Sequence, residues 1–310
     1  LQAFNLIVGT MIYIPFIKQS ERVQDREFLG KIKRLEASMN EDERSVWVRD
    51  FRWNTYENQQ TAKLLASDLE YALSKGALEL YYQPQVKRDG TLYGCEALLR
   101  WNYMGQGFVY PPLIIALAVQ GDFIGSLGMY IVEKACRDMA GAHTQAGCPV
   151  SFSVNILPLE LEDPSFADQV LRILKDTGVE GSNLTIELTE QVALNPGPNL
   201  ERQLEKLRES RVRISMDDFG MGHGSLNYLN SAHYDEVKID GSLIRRLPEH
   251  TQTCELVGNI MNMSRILGVS TVAECVETPE QIQMLEKLGC SIYQGYYYSR
   301  PLEIAEFERI

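Results

Sequence analysis

From residue 61 onward the chain alternates between two hydrophobic periods, and that alternation leaves few folds open. Residues 61–75 (TAKLLASDLEYALSK) place Leu64, Leu65, Leu69 and Leu73 on one side of a helix. Strand-like runs follow at 78–86, 91–101, 150–156, 184–189, 211–216, 236–239, 269–273 and 291–296. Helical patterns lie at 113–120, 128–143, 164–177, 200–210, 224–231, 253–267 and 279–287. Strands separated by helices pair in parallel through helical crossovers. Roughly eight such units in ~240 residues predict an α/β fold, a (β/α)8 TIM-like barrel. Lys87-Arg88-Asp89-Gly90 joins the first two strands and is too short for a crossover helix, so that pair is expected to be antiparallel. A doubly wound open sheet is the rival, but it would be marked by a glycine-rich phosphate loop after the first strand, and the sequence has none.

Charge narrows the partners. The 42 acidic residues outnumber the 30 basic ones, for a net charge of −12, which disfavours non-specific binding to DNA or RNA. A small anionic ligand would need a local cation, either a metal or Arg and Lys. Cys95, Cys136, Cys148, Cys254, Cys275 and Cys290 show no Cys-x-x-Cys spacing. They read as reduced thiols of a cytoplasmic protein, not as a zinc site or disulfide scaffold.

The amino-terminal end reads differently. Residues 1–17 carry no charge, and Lys18 opens a charged run. That fits the end of a membrane span whose following segment is cytoplasmic, tethering the protein to the inner membrane. A buried segment of a soluble domain fits this stretch equally well. Residues 9–18 weakly resemble the end of a sugar-transport permease of the phosphotransferase type. Residues 19–60 read as a charged linker, with Phe28, Ile32, Leu35 and Met39 on one face of a helix. It is a dimer contact or a solvated spacer. The expected organisation is an apolar segment at 1–18, a linker at 19–60 and a catalytic domain at 61–310.

Candidate chemistry gathers around residues 215–220, Ser-Met-Asp-Asp-Phe-Gly. A short strand runs into Asp217 and Asp218. A bulge or twist at its end would bring both carboxylates to one rim, although an Asx turn is the plainer reading. Other strand ends carry metal-capable oxygens too: Glu96, Asn155, Glu187, Glu190, Glu274, Glu277 and Gln294. In a barrel, chemistry sits at the carboxyl ends of the strands. All-oxygen ligands select Mg²⁺ or Mn²⁺ over zinc, and this many carboxylates suit two ions. Lys238 would hold an attacking water or phosphate oxygens, or form a salt bridge to Asp217 or Asp240.

Residues 61–310 resemble the EAL domain family of cyclic di-GMP phosphodiesterases. The resemblance rests on Glu96-Ala97-Leu98, Tyr82-Gln83-Pro84, Leu99-Arg100-Trp101 and Ser153-Val154-Asn155. It continues through Glu187-Leu188-Thr189-Glu190, Asp217-Asp218-Phe219-Gly220, Val237-Lys238-Ile239-Asp240, Ala273-Glu274, Val276-Glu277-Thr278 and Gln294-Gly295-Tyr296-Tyr297. It implies a barrel of EAL type with an antiparallel first strand, a homodimer, and hydrolysis of cyclic di-GMP to linear pGpG. Two Mg²⁺ or Mn²⁺ ions are implied, with Ca²⁺ inhibitory. Glu96, Asn155, Glu187 and Asp217 would bind one ion, and Asp217, Asp218 and Glu274 the other. Lys238 would orient the water, Gln294 would support the water shell of the ions, and Gln83, Leu98, Arg100, Asn155 and Asp218 would meet substrate. Glu190 would brace the loop after Asp218, and Glu277 would support the site from behind. The family's loop after the two aspartates usually reads Asp-Phe-Gly-Thr-Gly-Tyr-Ser-Ser-Leu. Here Met221, His223 and Gly224 depart from it, Cys275 stands where glycine is usual, and Val119 replaces a common glutamate. A catalytically silent cyclic di-GMP receptor, signalling through the amino-terminal segment, stays open as the alternative.

Overall fold

The computed structural model describes residues 56–103, 108–109, 111–143, 147–189, 198–220 and 234–310. The apolar segment, the linker, Glu190 and the loop with Met221, His223, Gly224 and the helical pattern at 224–231 lie outside the described residues. The chain divides into two compact units, Leu1–Glu79 with Leu99–Leu127, and Leu80–Leu98 with Gly128–Ile310.

In the first unit, helix α1 (Tyr56–Ser74) packs against α2 (Pro111–Gln120). The Tyr103 hydroxyl donates to Asp68 at 2.8 Å, and Trp101 packs edge-on to Tyr103.

The second unit contains the barrel. Its strands are β1 (Glu79–Lys87), β2 (Leu92–Arg100), β3 (Ser151–Asn155), β4 (Leu184–Thr189), β5 (Arg213–Phe219), β6 (Glu236–Ile239), β7 (Ser270–Ala273) and β8 (Ile292–Gln294). From β2 to β8 each strand lies parallel to the next. β1 runs antiparallel to β8 and also pairs with β2, which closes the ring. The expected antiparallel first strand is therefore present. A short β9 (Leu302–Glu303) pairs with β1 at Tyr81 and Tyr82. Two residues carry no periodicity, so the sequence pattern did not announce this strand.

Between the strands run α3 (Ile124–Met139), α4 (Pro158–Leu161), α5 (Phe166–Thr177), α6 (Pro198–Glu209), α7 (Gly241–Ile244), α8 (Thr251–Leu267) and α9 (Pro279–Leu288), and α10 (Ile304–Phe307) ends the chain. Local chemistry sets their ends. At α9, Thr278 and Gln281 form a capping box with Pro279 behind it, and Gly289 closes the helix in the left-handed region at φ 95°. α3 starts before the expected residue 128 and runs through Gly128. A Cβ there would sit 2.7 Å from Glu160 Cδ and closer still to its Oε1, so glycine gives the Glu160 side chain its space. Among the described residues no helix is long and apolar enough to cross a membrane.

The barrel strands are buried on both faces, yet they alternate in chemistry. On β4, Leu184, Ile186 and Leu188 alternate with Thr185, Glu187 and Thr189; on β5, Ile214 and Met216 alternate with Ser215 and Asp217; on β6, Val237 and Ile239 alternate with Glu236 and Lys238. Period-two alternation puts the apolar set on one side and the polar set on the other. Glu187, Lys238 and Glu96 meet, so the polar set faces inward.

Candidate active site

The side chain of Lys238, fully buried on the inner face of β6, gathers the carboxylates. Its Nζ lies 2.7 Å from Glu274 Oε1, 2.9 Å from Glu187 Oε2, 3.0 Å from Glu96 Oε2 and 3.6 Å from Asp217 Oδ1. These come from the end of β7, β4, β2 and β5, so residues far apart in sequence converge at one end of the ring. Of the two salt-bridge partners considered for Lys238, Asp217 is the loosest of the four. Asp240 is engaged elsewhere: it caps α7, accepting from Ser242 N at 2.8 Å.

Asp217 and Asp218 owe their position to an irregularity. The β5–β6 register shifts between Met216 and Phe219, so β5 carries an extra residue there. This is a bulge, with Asp218 in the left-handed region at φ 63°. Both aspartates are buried. The strand runs through them to Phe219 instead of stopping at Met216. Aspartate tolerates that backbone better than a β-branched residue would.

Glu96 is the best-satisfied acid. Its Oε1 accepts from Asn155 Nδ2 at 2.7 Å, and its Oε2 from Gln294 Nε2 at 2.6 Å and from Lys238. Burial opposes its charge, but the Lys238 ammonium and the amide donors outweigh burial and hold the carboxyl below its usual range. The others go the opposite way. Burial, then repulsion from Glu96, drives Glu187 well above the usual range. Burial with the neighbouring acids pushes Asp218 up to about 10, and burial pushes Glu274 up to about 8 despite Lys238. Burial likewise raises Asp217. Burial opposes the charge on Lys238 too, but the surrounding carboxylates overcome it and keep the ammonium protonated.

The balance is lopsided. Glu96, Glu187, Asp217, Asp218 and Glu274 face one lysine, all buried, a formal excess of four negative charges. Glu187 Oε1 and Asp218 Oδ1 are buried with no hydrogen-bond partner among the described residues. Orphaned carboxylate oxygens of this kind call for cations. Among the described residues no three Asp, Glu, His or Cys side chains are already arranged around one ion position. Their oxygens point at the Lys238 ammonium instead.

Other expected residues fall in different places. Gln83 is buried, donates to Ser299 O at 3.3 Å and accepts from Gln294 at 3.3 Å. Leu98 is buried on β2. Arg100 is buried in the first unit, with Nη1 donating to Leu99 O at 2.9 Å. Glu277 is exposed, and no hydrogen bond or ion pair ties its carboxylate to the cluster; its backbone N–H donates to Gln281 Oε1 at 2.7 Å. It lies outside the arrangement because the chain turns outward after Val276 to start α9. Cys275 has φ 52°, which explains why glycine is usual there. Sequence reasoning missed Gln85, which is buried and donates to Gln294 Oε1 at 2.9 Å. Its signal was the two-residue spacing from Gln83, which puts both amides on one face of β1.

The EAL domain family matches residues 66–301. The chain belongs to the EAL domain family. Relatives include the oxygen sensor protein DosP of Escherichia coli K12, 35% identical over 78% of this chain and 30% of DosP. The cyclic di-GMP phosphodiesterase NbdA of Pseudomonas aeruginosa is 35% identical over 79% of this chain and 31% of NbdA. This chain thus spans about a third of the length of these curated relatives. Among solved structures, the PaMucR phosphodiesterase in complex with c-di-GMP superposes with a TM-score of 0.72, at 34% identity, over 79% of this chain and 99% of that one. The weak likeness of residues 9–18 to a permease gains no support from these matches. The EAL tripeptide itself sits on β2, where Glu96 enters the barrel and Ala97 points away from it.

Proposed function

We propose that this EAL domain hydrolyses cyclic di-GMP to linear pGpG with two divalent cations. The observation that carries the reading is the buried excess of carboxylates around Lys238, with two oxygens left unpartnered among the described residues. Substrate identity is supported by NbdA and by the PaMucR complex, each more than 30% identical over most of this chain.

The donor set is oxygen throughout, which suits Mg²⁺ or Mn²⁺ and not a soft ion. Glu96, Asn155, Glu187 and Asp217 would hold one ion, and Asp217, Asp218 and Glu274 the other. The ions supply charge neutralisation and Lewis acidity at the phosphodiester. Glu187 and Glu274 now bind the Lys238 ammonium, so they would hold ions only where Lys238 gave up those contacts. Once released, the Lys238 Nζ can donate to the attacking water and hold a lone pair toward phosphorus. Asn155 and Gln294 fix both oxygens of Glu96, which keeps that carboxylate ionised and oriented. Gln83, Leu98, Arg100 and Asp218 would hold the nucleotide, with the Arg100 guanidinium suited to a phosphate. Attachment to a membrane through the amino-terminal segment, and a homodimer, are parts of the same reading.

The test is turnover of cyclic di-GMP by the purified chain with Mg²⁺, Mn²⁺ or Ca²⁺. Linear product with Mg²⁺ and Mn²⁺, and none with Ca²⁺, is expected. Nucleotide binding with no product under any ion would overturn hydrolysis in favour of a receptor.

A further inference from the structure

The interior of the barrel holds a chain of amides that the reaction does not explain. Gln85 and Gln294 are directly opposite each other in the antiparallel β1–β8 pair. Cross-strand partners present their side chains on the same face, here the inside of the ring. Both are buried. Gln85 Nε2 donates to Gln294 Oε1 at 2.9 Å, and Gln294 Nε2 donates to Glu96 Oε2 at 2.6 Å. Gln83 accepts from the same Gln294 Nε2 at 3.3 Å, while its own Nε2 is committed to Ser299 O.

A glutamine amide has two ends of nearly equal shape and opposite polarity. Turned the other way, Gln294 would set its oxygen against the Glu96 carboxylate and leave a buried amide nitrogen facing the donor of Gln85. Glu96 and Gln83 accept at the nitrogen end of the Gln294 amide, and Gln85 supplies the donor at its oxygen end.

We propose that Gln85 is a positioning residue for the acidic cluster: it holds the Gln294 amide with its oxygen toward β1 and its N–H toward Glu96. Among the described residues no hydrogen bond links Gln85 to Glu96 or Lys238, so it acts through Gln294. Antiparallel β1 is what makes this geometry available, because it brings the Gln83–Gln85 face opposite the end of β8. The inference rests on the cyclic di-GMP reading for its kinetic readout, but its structural readout stands alone.

The test uses Gln85→Met and Gln85→Glu, alone and with Gln294→Met. Gln85→Met removes the donor and nearly keeps the volume. The expected result is a fall in kcat of about 10- to 100-fold with KM for cyclic di-GMP within about threefold, and weaker Mn²⁺ binding by calorimetry. In the Gln294→Met background, Gln85→Met should have no further effect, since the path through Gln294 is already gone. Gln85→Glu is the second variant, should the first fail to fold. A neutral carboxyl donates as the amide does and a carboxylate cannot, so its kcat relative to the wild type should fall as pH rises. Crystals of Gln85→Met, and of Gln85→Glu at a pH where the new carboxyl is ionised, should show the Gln294–Glu96 contact opened from its 2.6 Å. The proposal is overturned if the contact persists in Gln85→Met and in Gln85→Glu with its carboxyl ionised, or if the losses from Gln85 and Gln294 simply add. A wild-type protein that turns over no cyclic di-GMP would sink the functional reading instead, leaving the contact and Mn²⁺ affinity to decide on Gln85.

Discussion

The two ends of the same barrel carry two polar clusters, one half-buried and one buried, and they differ in balance. At the amino-terminal ends of the strands, Arg213 Nη2 donates to the Tyr93 hydroxyl at 2.8 Å and lies 3.4 Å from Glu236 Oε2. The Tyr93 hydroxyl in turn donates to Glu236 at 2.9 Å. One cation meets one anion, and a hydroxyl bridges them. At the carboxyl-terminal ends, two to four residues along the same strands β5 and β6, five acids meet one lysine, and two oxygens have no hydrogen-bond partner among the described residues. The first cluster is complete and needs nothing from outside. The second is incomplete, and what it lacks is positive charge. Burial alone therefore does not mark function; a buried deficit does.

The sharpest way to break this comparison is to remove the cation from the incomplete end. Lys238→Ala should lower kcat by about 10³-fold or more, with a smaller change in KM, if the lost group acts on the water, as proposed, and not on substrate capture. It should also destabilise the metal-free protein, since Glu187 and Glu274 lose the one cationic partner each has among the described residues. Added Mn²⁺ should then raise the melting temperature of the variant by more than that of the wild type. Equal shifts in a thermal melt would show that Lys238 and the ions do not share the same oxygens.

The complete end should respond oppositely. Arg213→Met strips the one cation that faces Glu236 among the described residues and should cost up to about 3 kcal/mol of stability, the low end of the scale for breaking a buried pair because Arg213 is half-buried. Turnover of the folded fraction should stay within about twofold. Chemical denaturation measures the first and a specific-activity assay the second. A hundredfold loss of turnover at wild-type stability would make the two ends one functional unit.

Glu160 isolates one half of the argument. It too is buried, with an Oε1 that has no partner among the described residues, but it is not part of the acidic cluster, and its other oxygen accepts from Leu157 N at 2.8 Å. Burial pushes its carboxyl up to about 8. In the unfolded chain the group ionises near its ordinary pKa of ~4.3. The folded state therefore binds the proton more tightly, so stability falls as pH rises from about 4 to about 8 and levels off beyond. Glu160→Gln should remove that slope, making the variant more stable than wild type by a few kcal/mol at pH 8 and similar near pH 4. Turnover should be unchanged. Parallel stability curves for wild type and variant would show that Glu160 is not protonated in the folded protein.

How much of this was legible in the sequence follows from periodicity. The barrel was, because Leu-Thr-Ile-Glu-Leu-Thr and Arg-Ile-Ser-Met-Asp alternate cleanly and helices separate them. So were the acids, because each ends an apolar run. The antiparallel closure was legible too, from a four-residue turn. The Asp217–Asp218 bulge was visible only as a requirement, since nothing in Met-Asp-Asp-Phe shows that the strand continues. Gln85 was hidden because an amide in a strand reads as ordinary polar filling until its cross-strand partner is known. The opposite cluster was hidden for the same reason: Tyr93, Arg213 and Glu236 belong to three strands and share no local pattern. Side-chain partnerships across a ring depend on register, which hydrophobic period does not specify.

The smallest effect is expected next to the incomplete cluster itself. Cys275 follows Glu274 and holds φ 52°, a left-handed backbone that a non-glycine residue occupies at a cost of about 1 kcal/mol. Its sulfur lies where a Cβ on Gly241 would come within 2.4 Å, so the thiol fills a gap above α7. Burial, with Glu274 adding to it, pushes the thiol up to about 12, so it stays neutral and competes with no carboxylate for a cation. Cys275→Gly relieves the backbone and empties the gap, and it also makes the unfolded chain more flexible. These contributions are similar in size and opposite in sign, so stability should change by less than about 1 kcal/mol. Turnover should stay within about twofold because no oxygen of the cluster is lost. A large loss in a steady-state assay would mean that the strained turn aims Glu274, and the boundary of the incomplete cluster would then extend past its charged atoms into the backbone that carries them.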